Sequence, residues 1–170
     1  RMLGALARQR WERACEEQLP WIETDSDPWP DTVQPAFHNI ALGVSRTDPA
    51  VKGRDEVREN EALFVESIRR AKNLIYMENQ YFTSPLISGA IAERLAETDG
   101  PEVVLVSTGR SPSWFDGLTM DTARTEVLWR LEQADLHNRF SAYYPVTDKG
   151  DRIIVHAKMT IIDDKLMRIG

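Results

Sequence analysis

Residues 155–170 read VHAKMTIIDDKLMRIG, so that His156, Lys158, Asp163 and Gly170 follow one another as H-x-K-x4-D-x6-G. At ordinary residue frequencies, these four fixed positions arise by accident in a chain of this length roughly once in a thousand times. The spacing places an imidazole, which titrates near neutral pH, two residues from an ammonium group that can bind phosphate. A titratable group is thus predicted beside a phosphate binder.

The same stretch predicts the end of a β-sheet. Its apolar residues favour strands at 153–158, 160–162 and 166–169, and the aspartates favour a turn at 163–165. Because successive side chains of an extended segment alternate between its faces, His156 and Lys158 are expected to point the same way. One face of the segment is then predicted to pack and the other to react.

Helices and strands alternate along the rest of the chain. Apolar residues at helical spacing predict helices at 2–18, 56–72, 85–100 and 121–134. Strand-forming residues predict strands at 37–44, 74–77, 103–106 and 140–144, of which the fully apolar run 103–106 is typical of a buried sheet. This order predicts an α/β fold in which a mixed β-sheet is flanked by helices on both faces.

The size of the chain fits one core. With 170 residues and 42% hydrophobic content, a single domain over 1–170 is expected, with a loop at 20–36 where acids, prolines and tryptophans follow no period. The chain starts at Arg1 rather than at a methionine, and it stops at Gly170 with the apolar strand pattern still running. We therefore expect it to be a fragment of a longer protein.

Charge and cysteine content narrow the function classes. The net charge of −6 argues against wholesale attraction to nucleic acid or to an anionic bilayer, although a local basic pocket is compatible with it. Cys15 has no second cysteine to pair with in the chain, which fits a reducing compartment. The sequence contains neither the run of about 18 apolar residues that a membrane span needs nor a signal-peptide pattern. A cytoplasmic or membrane-peripheral location is favoured over secretion.

The motif at 156–170 resembles the phospholipase D superfamily, whose repeated signature is H-x-K-x4-D-x6-G. Two further segments support the resemblance. Residues 75–83, IYMENQYFT, look like the stretch between the two copies of that signature in the phospholipase and transphosphatidylase branch. Residues 10–12, RWE, look like the segment just after the first half of such enzymes. The three matches follow the order of the family and imply a phospholipase D-like C-terminal half.

The resemblance implies a phosphodiesterase with one catalytic histidine from each half. One histidine attacks phosphorus to form a phosphohistidine, and the other protonates the departing alcohol and then activates water or a second alcohol. By this analogy His156 is the acid and base, Lys158 holds the non-bridging oxygens, and Asp163 supports the hairpin. The scheme requires no metal and no cofactor.

The resemblance also implies what completes the site. The expected partner is an N-terminal half that carries a second H-x-K-x4-D motif, or else a second copy of the chain, and the isolated 170 residues are expected to be inactive. The expected substrate is a phospholipid or another phosphodiester, and contact with a membrane surface is compatible with it.

The substrate-binding candidates are Glu78, Asn79 and Gln80, together with Gly170 of the motif. Residues 78–80 follow a predicted strand, and open α/β sheets place their binding crevices at strand ends. The alternative is that they are ordinary polar groups at a strand end, with Tyr81 and Phe82 in the core.

The remaining chemically active side chains favour structural roles. His38 and His137 are far from the motif and from each other, and no cysteine cluster accompanies them, so the sequence has no metal-ligand spacing. Asp25, Asp27 and Asp31 lie among prolines without EF-hand spacing, which indicates a solvated acidic loop rather than a calcium site.

Two tryptophans could contact lipid. Trp29 and Trp114 fall in predicted loops, and amphipathic rings of this kind often lie at membrane interfaces. Packing within the protein is the simpler interpretation for both.

Three functions therefore remain open. The leading one is hydrolysis or transfer of phosphatidyl groups. The second is a phosphodiesterase of the same superfamily that acts on nucleic acid or another non-lipid ester, which the acidic charge balance disfavours. The third is a degenerate module that binds phosphate or a partner without turnover.

Overall fold

The computed structural model describes residues 2–20, 22–23, 29–111 and 117–170, so Asp25, Asp27 and Trp114 lie outside the described residues. The chain divides into two compact units, Arg1–Leu42 and Gly43–Gly170, where the sequence predicts a single domain. We describe each unit by itself.

The first unit contains helix α1 (Met2–Cys15), which ends three residues before the predicted boundary. The predicted strand at 37–44 is wrong, because no described residue of that segment pairs with another strand. Its apolar side chains are solvated instead, with Phe37 69% and Leu42 74% exposed. Alternation of apolar residues favours a strand only where a neighbouring strand can accept and donate its backbone hydrogen bonds, and here none does.

In its described residues, the second unit contains two sheets and three α-helices. A small antiparallel pair precedes the main sheet, whose strand order is β5-β4-β3-β6-β7. The strands are β1 (Thr47–Asp48), β2 (Val57–Arg58), β3 (Leu74–Asn79), β4 (Glu102–Ser107), β5 (Phe140–Tyr143), β6 (Lys158–Ile162) and β7 (Leu166–Ile169). The helices are α2 (Glu59–Arg70), α3 (Pro85–Ala96) and α4 (Thr122–Ala134), the last preceded by a π-helical turn at Gly117–Asp121.

The main sheet is mixed, and the connections explain why. β3, β4 and β5 run parallel, because α3 and α4 carry the chain back over the sheet between them. α3 begins at Ser84, whose hydroxyl accepts a hydrogen bond from the backbone N–H of Ile87 at 3.4 Å, and Pro85 occupies the first turn as predicted. β6 and β7 add two antiparallel strands on the other side of β3. The predicted α/β class and the mixed sheet are confirmed.

The hydrophobic core described in this unit lies on one face of the sheet. The buried side chains of the sheet pack with those of α2, α3 and α4 in one cluster: Ile75, Met77, Val103, Leu105 and Ile162 with Ile68, Ile91, Leu95, Val127 and Leu131. Neighbours in sequence such as Tyr76 and Val104 point to the opposite face and are only half-buried.

The predicted turn after β6 is confirmed, and it is tied to a distant loop. Asp163 and Asp164 both adopt positive φ, 51° and 54°, within the three-residue connection 163–165 between β6 and β7. The Asp163 carboxylate accepts hydrogen bonds from the backbone N–H groups of Lys72 at 2.8 Å, Asn73 at 2.7 Å and Leu74 at 2.9 Å. Burial opposes ionisation, but the three N–H donors outweigh it and lower the pKa of Asp163. The carboxylate therefore joins the hairpin to the loop between α2 and β3.

We predict that Asp163→Asn lowers the free energy of unfolding by about 1–3 kcal/mol, because an amide replaces one acceptor oxygen with a donor facing backbone N–H groups. Asp164→Asn, which also tolerates positive φ, is the matched control and should change stability by less than about 0.5 kcal/mol. Urea titrations of the three proteins measure both effects.

The pH dependence of the same difference provides a second check. Since the pKa of Asp163 is lowered on folding, its contribution is full at neutral pH and is lost as the pH falls through the ordinary aspartate value of about 4 and below. The wild-type advantage over Asp163→Asn should shrink in that range. If the wild-type advantage over Asp164→Asn shrank by the same amount in that pH range, this account would be contradicted.

Candidate active site

His156 lies just before β6, in a segment that one side chain tethers to the sheet. Thr108 follows β4, and its hydroxyl accepts a hydrogen bond from the backbone N–H of Val155 at 3.0 Å and donates one to the Val155 carbonyl at 3.1 Å. Val155 is buried, whereas His156 is exposed. The strand predicted at 153–158 is therefore wrong except for its last residue, because a hydroxyl replaces the backbone ladder there.

Lys158 is the first residue of β6 and pairs with Asn79 of β3. Its Nζ donates hydrogen bonds to Oε1 of Gln80 at 3.4 Å and to the carbonyl oxygen of His156 at 3.1 Å. The structure thus brings Lys158 together with Asn79 and Gln80, two of the predicted substrate-binding residues. No carboxylate of the described chain forms an ion pair with this lysine.

Gln80 is held by a buried polar network. Its backbone carbonyl accepts hydrogen bonds from the Ser107 hydroxyl and from the Arg124 guanidinium, both at 3.3 Å. Arg124 is itself buried and paired with Asp121 at 2.9 Å. Burial raises the pKa of Asp121. The hydrogen bonds from Ser111 and the charge of Arg124 together lower it by more, so the net shift is downward. The network fixes the segment whose amide contacts Lys158.

Sequence reasoning missed Thr108 and Arg124. Arg124 had a detectable signal, since it lies three and seven residues before Val127 and Leu131 on the apolar stripe of α4, where a charged residue calls for a buried partner. Thr108 had none, because its partner Val155 is 47 residues away in the sequence.

Glu78 and Asn79 both have structural partners. The Tyr76 hydroxyl donates to Glu78 at 2.8 Å, and this hydrogen bond, with burial and the negative charge, raises the pKa of Tyr76. The Asn79 side-chain oxygen accepts from the backbone N–H groups of Tyr81 at 3.1 Å and Phe82 at 2.9 Å. Phe82 adopts a positive φ of 48°, so this turn holds a strained backbone at the end of β3.

A cavity of about 290 Å³ opens at this end of β3, between the sheet and the helices. Lys158, Asn79 and Arg168 are among the residues that line it, whereas His156 and Gln80 are not. Gly170 continues the pairing of β7 with β6 through a hydrogen bond from its N–H to the Lys158 carbonyl at 3.0 Å.

The other described candidates have exposed side chains. His38, His137 and Asp31 are exposed, and Trp29 is half-exposed and donates its indole N–H to the Val33 carbonyl at 2.6 Å. Among the described residues, no group of three His, Cys, Asp or Glu side chains is placed to hold a metal ion. No helix in the described parts of the chain has the length and apolar character needed to cross a membrane.

The arrangement offers an exposed imidazole on a tethered backbone, and a half-buried lysine that lines a cavity of polar and apolar residues. Together they can bind an anion and move a proton. No protein-family model matches the chain, and no curated protein matches it. The candidate site therefore rests on the motif and on its geometry.

We predict that Thr108→Val loosens the segment that carries His156, because the isosteric side chain cannot form either hydrogen bond to Val155. Hydrogen exchange of the Val155 amide should accelerate on the order of tenfold or more. Thr108→Ser keeps the hydroxyl and should exchange within about threefold of wild type. Equal protection in the valine and serine variants would show that Thr108 does not hold the segment.

Proposed function

We propose that this chain is the C-terminal half of a phospholipase D-like phosphodiesterase, which hydrolyses or transfers phosphatidyl groups. The observation that carries the proposal is Lys158, which enters a cavity from β6 with its ammonium group held by a neutral amide and a carbonyl rather than by a carboxylate. A cation held by neutral groups has no counter-charge that competes with an incoming anion. The resemblance of the motif to the phospholipase D signature supports a phosphodiester as that anion.

The proposed reaction uses two histidines. A histidine from the other half attacks phosphorus, so that a P–N bond forms and the P–O bond to the leaving alcohol breaks. His156 gives its proton to that alcohol. It then takes a proton from water or from an acceptor alcohol, whose oxygen forms a new P–O bond as the P–N bond breaks. Lys158 offsets the charge on the non-bridging oxygens in both steps. The exposure of His156 supports this role, since its ring is free to meet groups from outside the chain.

The proposed enzyme requires a second H-x-K-x4-D motif, supplied by an N-terminal half or by a second copy of this chain. The 170 residues alone should not turn over a phosphodiester at low concentration. Activity that rises with the square of protein concentration would point to two copies. Activity that is proportional to concentration in the isolated chain would contradict the half-site.

We predict that His156→Ala reduces turnover of phosphatidylcholine by the protein carrying both motifs by about 10²–10⁴-fold. The matched control is His137→Ala, which removes an exposed histidine far from the cavity and should retain wild-type activity. With an activated p-nitrophenyl ester, the first step needs no acid, so His156→Ala should accumulate a phosphohistidine that mass spectrometry detects. If no phosphohistidine forms with that ester, His156 is the nucleophile instead.

One observation favours a second candidate, a module that binds phosphate without turnover. Lys158 lines the cavity and His156 does not, so the described residues provide an anion site more completely than a proton-transfer site. Phosphate binding without turnover of either phosphatidylcholine or single-stranded DNA by the two-motif protein would support this candidate. Turnover of DNA but not of the lipid would support the nucleic-acid alternative, against which the net charge of −6 argues.

A further inference from the structure

A second cation faces the same cavity as Lys158. Arg168 of β7 pairs with Thr160 of β6, two residues along the strand from Lys158, so both side chains rise from the helix-covered face of the sheet. Residues in this diagonal relation have Cα atoms about 7–8 Å apart, within the reach of two long side chains toward one ligand. Both residues line the cavity of about 290 Å³.

The guanidinium of Arg168 is oriented by neutral partners. Its Nε and Nη2 donate to the side-chain oxygen of Asn60 at 3.0 and 2.8 Å, and its Cζ lies 4.5 Å from the centre of the Phe64 ring. No described carboxylate forms an ion pair with it, and its Nη1 makes no hydrogen bond to a described residue. Burial lowers the pKa of Arg168, but a guanidinium remains protonated at neutral pH. Its charge is therefore held in place without a counter-charge.

The rest of the wall also suits an anion. Thr83 and Ser84 line the cavity at the N-terminal end of α3, where the helix dipole is positive. Glu78 lines it as well, but strand alternation directs its side chain with Tyr76 to the opposite face, and its carboxylate accepts the Tyr76 hydroxyl. The charged side chains directed at the cavity are thus both positive.

We propose that Arg168 is a second phosphate-binding residue, which acts with Lys158 on one phosphate group in this cavity. Arg168 supplies a donor in a fixed direction through Nη1, and Lys158 supplies a movable ammonium group from the neighbouring strand. If Arg168 only tied β7 to α2, its hydrogen bonds to Asn60 would be enough. That role does not explain why Lys158, a second cation without a carboxylate partner, lines the same cavity. The assignment of the anion as phosphate rests on the proposed function, whereas the convergence of two cations on one cavity does not.

The test is a titration of the 170-residue chain with inorganic phosphate at constant ionic strength, followed by the NMR signals of the Arg168 Nε–H and of backbone amides. We expect the Arg168 Nε–H and the Lys158 amide to shift with the same affinity. Arg168→Met should weaken binding at least tenfold, and Lys158→Met by a similar factor. Arg69→Met, which removes an exposed arginine of α2 outside the cavity, should leave the affinity within twofold.

The shift of the Arg168 signal is measured in the wild-type protein, so the proposal stays testable if Arg168→Met fails to fold. Phosphate that shifts the Lys158 amide but not the Arg168 Nε–H would overturn the proposal. It would also be overturned by a folded Arg168→Met protein with wild-type affinity, or by the absence of any saturable binding.

Glycerophosphocholine and dihexanoylphosphatidylcholine distinguish the sources of the phosphate group. Binding of both diesters would indicate recognition of a headgroup phosphate, and binding of inorganic phosphate alone would indicate a free-phosphate site. Either result supports the two-cation site. If phosphate binds as expected but the two-motif protein turns over no phosphodiester, the proposed function fails and this inference stands.

Discussion

The carboxylate of Asp163 is the contact on which the candidate site depends most. It accepts hydrogen bonds from the backbone N–H groups of Lys72, Asn73 and Leu74, where the chain enters β3. These bonds fix β6 against β3 in one register. A slip of one residue would move Lys158 to the opposite face of the sheet and take Arg168 with it, because side chains alternate along a strand. The aspartate of the motif therefore contributes to the candidate site through alignment, at the end of β6 opposite to the lysine.

Two other long-range contacts complete the alignment. The Thr108 hydroxyl holds the backbone of Val155, and the buried Arg124 holds the backbone of Gln80. These contacts place His156 and Lys158 from outside the motif. The lysine reaches a cavity under the helices while the histidine faces solvent, so a ligand that meets both must extend from the cavity over the edge of the sheet.

Local sequence patterns predicted the parts of this arrangement that depend on nearby residues. The turn at Asp163, the start of α3 at Ser84 and the mixed sheet are confirmed. The strands predicted at 37–44 and 153–158 failed because pairing is a property of two segments, and the pattern of one segment does not reveal whether a partner exists. Thr108 and Arg168 were missed for the same reason, since their partners at Val155 and Asn60 are distant in the sequence.

The exposed side of β7 has a practical consequence. It is the outermost strand of the main sheet, and its Met167 and Ile169 are 54% and 77% exposed. Such a strand offers unpaired backbone groups and apolar side chains to any other copy of the molecule. Edge-to-edge self-association is the expected behaviour of concentrated samples, and dilution series or a lysine introduced at Met167 would keep that process separate from ligand binding.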